Sequence, residues 1–238
     1  MFDRLEFELQ NTGSSKDKFL ASAVDLLRKI RGQDIPIKEE IPERKGFSEE
    51  TQRQLEGLGY EIIPLNDKTI QAFRAEGRQI RSSLPEDTEK IIFPPRWVRD
   101  HNQRVRKTQQ LLATPSRFSE VTFYPDKLLL PESHGLTLNE HRQRVGELNA
   151  GLHIEGAQVV IGEAVDYLGL VFNRLDTSGI SLFPEKKLGP GIRTTTPTWE
   201  GETIVLLFYQ RQRLDAFILD SYSGDTRSSY VMPLVVPA

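Results

Sequence analysis

The spacing of apolar positions predicts helices in the first half of the chain and short strands in its last third. Residues 14–31 have apolar side chains three and four positions apart, preceded by a serine that can cap a helix. From residue 152 onward, short apolar runs rich in β-branched and aromatic residues alternate with turn residues. Two of these runs, 203–209 and 214–219, are separated by four polar residues and predict a β-hairpin. Helices followed by strands are typical of an α+β fold.

Single residues refine this pattern. The run 203–209 is apolar on both faces, which indicates a strand covered by two layers. Pro233 predicts that the final run is an edge or terminal strand, because proline has no N–H for a ladder. Thr137 and Glu140 form a capping-box pattern that predicts a helix to about residue 149. Further elements are expected as a short helix from Ser48, a strand at 60–64, a third helix from Asn66 or Asp67 to Gly77, and strands at 121–124 and 127–130.

Length and composition set the domain organisation and exclude several classes of partner. We expect a helical N-terminal region (1–60), a mixed α/β segment with an insertion (61–150) and a β-domain (151–238). The formal net charge of −3 predicts no strong attraction to nucleic acid or anionic membranes. No apolar run reaches about 18 residues and no signal-peptide layout is present, so a cytoplasmic protein without a membrane partner is expected. The absence of cysteine excludes disulfides and thiolate chemistry.

The generic catalytic templates do not match this sequence. Its four histidines form neither an HExxH pattern nor a cluster with carboxylates, so no metal site is expected. Glycine-rich phosphate loops and a Gly-x-Ser-x-Gly elbow are also missing. The segment 96–107 carries five basic residues in a helix-compatible run. A solvated helix face is the favoured interpretation in an acidic chain, and a nucleic-acid-binding face is the alternative.

Several segments of the last third follow one another in an order that resembles a known series of motifs. They are 154–168, 170–180 with Asn-Arg-Leu-Asp-Thr-Ser-Gly, 197–209 with Pro-Thr-Trp-Glu-Gly, and 223–236 with a Ser-Gly-Asp turn, while 65–80 gives a weaker match. In this order they resemble the dUTPase / dCTP deaminase superfamily. The resemblance implies a mainly β barrel or jelly roll that forms a homo-oligomer, a trimer. It also implies a site for a uridine or cytidine deoxynucleotide, with Mg²⁺ if a triphosphate is bound.

The resemblance assigns nucleotide-binding roles to residues of the second and third motifs. These residues are Arg174, Ser178, Gly179, Arg193 and Trp199. Each has a structural alternative, since an arginine forms salt bridges, Ser-Gly is common in turns and a tryptophan packs in cores. Both interpretations stay open from the sequence.

The positions that carry the chemistry of the superfamily hold other residues here. Thr196 stands where a water-activating aspartate is expected, and a threonine hydroxyl cannot act as that general base. Leu207 stands in place of a glutamate, and the phosphate-binding arginine is either replaced by Thr177 or missing. The sequence therefore predicts a catalytically degenerate pseudoenzyme. It would act as a nucleotide-binding or structural module, with a protein partner at its helical regions.

A divergent deoxynucleotide triphosphate hydrolase or deaminase is the alternative in the enzyme class. It requires the catalytic acid to have moved, and the candidate acids are Asp176, Glu200 and Glu202. Each is equally compatible with an exposed turn acid. Turnover that stays intact when each of these acids is mutated to alanine would remove this alternative.

Overall fold

The chain folds into two β-sheets with a helix between them, and the predicted mixed α+β class is confirmed. The computed structural model describes residues 43–84, 86, 95–124, 128–183, 190–197, 203–210, 214–220 and 229–238, with only the backbone at 95–103, 210 and 220. All of these residues belong to one unit, Pro42–Ala238. The helix predicted at 14–31 lies outside the described residues.

Five helices and nine strands occur within the described residues. The helices are α1 (Glu49–Gly57), α2 (Ile70–Ala75), α3 (Pro95–Ala113), α4 (Leu138–Leu152) and α5 (Ala164–Ser178). The strands are β1 (Ile63–Pro64), β2 (Gln79–Ser82), β3 (Glu120–Phe123), β4 (Ala157–Ile161), β5 (Gly191–Pro197), β6 (Thr203–Gln210), β7 (Leu214–Asp220), β8 (Ser229–Tyr230) and β9 (Pro233–Pro237).

The strands form two open sheets. Sheet A has the order β1–β3–β9–β4 and is antiparallel throughout. Sheet B has the order β2–β7–β6–β5–β8, in which β2 runs parallel to β7 and β8 runs parallel to β5. The closed barrel expected from the resemblance is not found in the part of the chain that the structure describes. Strands from before residue 150 pair with strands after it in both sheets, so the mixed segment and the β-domain share their sheets.

Helix α5 lies between the two sheets and forms the centre of the core. Ten consecutive residues, Ala164–Asn173, are buried. The apolar residues among them share one hydrophobic cluster with Leu234 of sheet A and Leu206 of sheet B. A helix that is covered on all sides can carry apolar residues on every face, as a buried strand also does.

The expectation of strands throughout the last third is therefore wrong at 163–178. A buried strand and a buried helix have the same apolar run, and length distinguishes them, since strands rarely exceed about eight residues. The helix is closed at its C-terminal end by Gly179, whose φ of 69° is a left-handed conformation that favours glycine.

Sheet A is covered on both faces. Its inner face packs Val121, Phe123 and Leu234 against the α5 core. On its outer face, Val159 packs in a cluster with α4, and Val235 packs in a cluster with α1. The layers are therefore α1 with α4, sheet A, α5, and sheet B.

The predicted β6–β7 hairpin is confirmed, whereas the position of the last strand differs from the prediction. The hairpin pairs residues from Ile204 with Asp220 to Gln210 with Leu214. Strand β9 is not an edge strand but lies between β3 and β4. Pro233 and Pro237 are its first and last residues, so the interior N–H groups remain available to the ladder.

Candidate functional site

A cleft of about 320 Å³ opens between α3, the N-terminal end of α5 and the end of β5. This volume lies at the small end of the range for ligand pockets. Its apolar lining is Ile70, Leu111, Ala164, Val165 and Pro197. Its polar lining is Lys107, Gln110, Thr114, Glu163 and Thr196. We call it the α3–α5 cleft.

Hydrogen bonds fix the α5 side of the cleft to sheet B. The backbone N–H of Ala164 donates to Thr196 Oγ1 at 2.7 Å. The N–H of Thr195 donates to the carbonyl oxygen of Gly162 at 2.9 Å, which ties β5 to the chain that enters α5. The N–H of Gly162 donates in turn to the hydroxyl of Tyr167 at 3.0 Å. The cleft wall is therefore held by contacts that do not depend on a ligand.

A buried carboxyl group lies directly behind this wall. Asp166 is 1 % exposed, and its Oδ2 accepts from the N–H of Glu163 at 2.8 Å. Its Oδ1 accepts from the hydroxyl of Ser116 at 2.5 Å. Burial raises the pKa of Asp166 to about 6, although both hydrogen bonds favour the ionised form. Sequence reasoning missed Asp166 because an acid at the third position of a helix is a capping signal only where a helix is expected.

The α3 side of the cleft is the polar flank of an amphipathic helix. Val105, Thr108 and Leu112 are buried at helical spacing. Lys107 and Gln110 are exposed on the cleft side. Lys107 belongs to the basic segment 96–107, and another residue already engages it. The cleft thus places one member of this segment in a small-molecule pocket.

The residues of the second motif lie at the other end of α5. Arg174 Nε donates to Glu61 Oε2 at 2.8 Å, and its guanidinium lies 5.6 Å from the ring centroid of Phe123. Ser178 Oγ donates to the carbonyl oxygen of Arg174 at 2.7 Å. Gly179 ends the helix with its N–H on the carbonyl oxygen of Leu175. The negative end of the helix dipole disfavours a phosphate here.

Asp176, the described member of the three candidate acids, lies at the same end of α5. It forms an ion pair with Arg78. A helix of fifteen residues is about 22 Å long, so this end is far from the α3–α5 cleft. Glu200, Glu202 and Trp199 lie outside the described residues.

Arg193 is separated from the second-motif residues by sheet B. Its neighbour Ile192 faces the α5 core, so Arg193 points to the opposite face of the sheet. There it is 1 % exposed, and its Nε donates to Ser229 Oγ at 3.1 Å. His141 is fully buried nearby, with Nε2 2.7 Å from the carbonyl oxygen of Ser133. Burial lowers the pKa of His141, and the charge of Arg193 contributes.

Of the positions at which the resemblance expects catalytic or phosphate-binding residues, Thr196 lines the cleft and two others do not. Leu207 is half-buried on β6 and pairs with Phe217 of β7. Thr177 donates to the carbonyl oxygen of Asn173 within α5 at 2.5 Å. Of the residues that the sequence singled out for catalysis or phosphate binding, Thr196 therefore lies in the cleft. The sequence did not indicate that α3 forms the other side of the cleft.

Two classes of feature are absent from the described part of the chain. Among these residues, no group of three or more histidines and carboxylates is placed to hold a metal ion. None of the described helices has the length and apolar character needed to cross a membrane.

No protein-family model, curated protein or solved structure matches this chain. The resemblance to the dUTPase / dCTP deaminase superfamily therefore rests on the order of sequence motifs alone. The cleft is a candidate site because of its geometry, whatever the ancestry of the chain.

Proposed function

We propose that this protein is a non-catalytic binding module for a small organic molecule, which binds in the α3–α5 cleft. The observation that carries the proposal is the cleft itself, with apolar side chains beside polar groups of Gln110, Thr114, Glu163 and Thr196. Binding sites for small molecules combine an apolar lining with a few placed polar groups.

The walls support binding because they are formed before a ligand arrives. Helix α5 is buried between two sheets, and Thr196 anchors its first turn through Ala164. A preformed site avoids the entropic cost of ordering loops on binding. Thr196 therefore holds a fixed position in the cleft.

Binding without turnover is favoured over the enzymatic alternative. Thr196 occupies the cleft where the resemblance expects a catalytic aspartate, and Asp176 is engaged by Arg78 at the far end of α5. The other two candidate acids, Glu200 and Glu202, lie outside the described residues. The resemblance makes deoxynucleosides and deoxynucleotides of uracil and cytosine the first ligands to test, and it carries the trimer and the jelly roll as further proposals.

The test is a thermal-shift panel on the full chain, with deoxynucleosides, their phosphates with and without Mg²⁺, and small amines, amides and carboxylic acids. A ligand at a hundred times its Kd that binds only the native state stabilises it by about 2.7 kcal/mol. Gln110→Trp fills the mouth of the cleft, and Gln109→Trp places the same side chain at a neighbouring exposed position that does not line it.

We expect the stabilising ligand to lose its effect in Gln110→Trp and to keep it in Gln109→Trp. Equal shifts in the two variants would place the binding site elsewhere. A panel in which no compound stabilises the wild-type protein would overturn the proposal.

A further inference from the structure

Three backbone N–H groups in the first turn of α5, beside the cleft, are occupied by hydrogen bonds within the protein. The N–H of Glu163 donates to Asp166 Oδ2 at 2.8 Å, and that of Ala164 donates to Thr196 Oγ1 at 2.7 Å. The N–H of Asp166 donates to the carbonyl oxygen of Glu163 at 3.1 Å. Helix N-termini bind anions through such donors, and three of them are already occupied here.

Two carboxyl groups at this end of α5 repel each other when both are ionised. Burial raises the pKa of Asp166 most, and the negative charge of Glu163 raises it further. Arg117 opposes this effect without cancelling it, since the pKa stays at about 6. A cation beside Glu163 would relieve the repulsion, whereas an oxyanion would add a further negative charge.

The α3 wall does not reverse this preference. Among the described residues of that wall that line the cleft, Lys107 is the charged one, and it already has an interaction within the protein. Gln110 presents a neutral amide that can either donate or accept a hydrogen bond. Glu163 is half-buried and lines the cleft, so its charge lies beside the bound ligand.

We propose that the α3–α5 cleft selects ligands that carry a cationic N–H donor, an amine or an amidine, over isosteric anions. The N–H group contacts the carboxylate of Glu163, and an apolar body packs against Leu111, Val165 and Pro197. This inference rests on the proposed function, since it names the ligand class of the same cleft.

The test compares three probes of nearly equal shape and different charge: benzamidine, benzamide and benzoate. Their dissociation constants for the full chain are measured by titration calorimetry or by NMR shifts at pH 7.5. We expect benzamidine to bind at least about fivefold more tightly than benzoate, as for a carboxylate pair worth about 1 kcal/mol. Benzamide should lie between them.

Two variants assign the preference to Glu163. Glu163→Gln keeps the size of the side chain and removes its charge, so the ratio between benzamidine and benzoate should fall to within about twofold. Glu147→Gln removes an exposed carboxylate of α4 that does not line the cleft, and it should leave the ratio unchanged. The ranking of probes on the wild-type protein tests the proposal even if Glu163→Gln fails to fold.

The outcomes separate the two proposals. Benzoate binding as tightly as benzamidine would overturn the cation preference, while the binding itself would uphold the cleft as a site. A preference that survives Glu163→Gln would also overturn the assignment. No binding by any probe would refute the ligand class, and a blank thermal-shift panel alongside it would refute the proposed function as well.

Discussion

Asp166 gives the fold a pH dependence of unusual sign for a carboxyl group. Burial raises its pKa in the folded protein from the ordinary 3.8 to about 6. Between these two values, the unfolded chain loses the proton and the folded protein keeps it. Stability then falls as pH rises, because the unfolded state binds fewer protons. The contribution of Asp166 is complete below about pH 4 and is lost as pH rises through 6.

The size of this effect follows from the two pKa values. The rise from 3.8 to about 6 is worth roughly 3 kcal/mol, at about 1.4 kcal/mol per pKa unit. Little of this is screened by solvent, since Asp166 is 1 % exposed. The asparagine of Asp166→Asn cannot ionise, so this variant lacks the pH-dependent contribution of Asp166 to the free energy of unfolding. The variant also changes one of the two hydrogen bonds from Ser116 and Glu163, which adds an offset that does not vary with pH.

The assay is urea unfolding of the wild-type protein and Asp166→Asn at half-unit steps from pH 4 to pH 7.5. The quantity of interest is the unfolding free energy of the wild type minus that of the variant, in which the other titrating groups cancel. We expect this difference to fall by roughly 2 kcal/mol across the series, somewhat less than the full effect, because the unfolded carboxyl is already partly ionised at pH 4. Asp176→Asn, at the exposed end of the same helix, controls for the loss of one carboxylate. A difference that stays constant, or that rises with pH, would refute the account of Asp166.

Two further perturbations test the core. Burial lowers the pKa of His141 in the folded state, so its contribution to the unfolding free energy is present above about pH 6.5 and is lost as pH falls. His141→Gln should therefore reduce the loss of stability between pH 7.5 and pH 5, measured by urea unfolding. An unchanged loss of stability would contradict this assignment. Gly162→Ala should destabilise by about 1–3 kcal/mol, because its Cβ would lie 2.5 Å from Leu234 Cδ1 and 3.3 Å from Asp166 and Tyr167. The control is Gly146→Ala in the exposed part of α4, where an added Cβ would have no atom within 4 Å, and it should stabilise the protein by about 1 kcal/mol. Equal effects of the two variants in urea unfolding would show that packing at Gly162 is not tight.

Local signals predicted those elements whose ends are set by neighbouring residues. Thr137 and Glu140 cap α4 reciprocally, as the sequence pattern indicates, and Ser48 accepts the N–H of Thr51 at the start of α1. The β6–β7 hairpin follows from two apolar runs that are adjacent in the sequence. In each case the interaction that fixes the element spans only a few residues.

The errors arise where distant parts of the chain decide the structure. The apolar run of α5 is compatible with a strand until both sheets are known to cover it. A proline in the middle of a strand would keep that strand from the interior of a sheet, because its missing N–H breaks the ladder. Pro233 is the first residue of β9, so β9 can pair on both sides. The cleft joins Gln110, Glu163 and Thr196, which are separated by 53 and 33 positions, and no local pattern links them.

The two ends of α5 differ in what they offer to a ligand. At the C-terminal end, Arg174 is paired with Glu61 and Asp176 with Arg78, so these two charged candidate residues already form ion pairs within the fold. At the N-terminal end, Glu163 lies in the wall of an open cleft. Capping by Glu163 and Asp166 is favourable for the helix because acids stabilise its positive end. The same acids make that end unsuitable for phosphate, so the requirement that keeps α5 folded also directs the cleft toward cationic ligands.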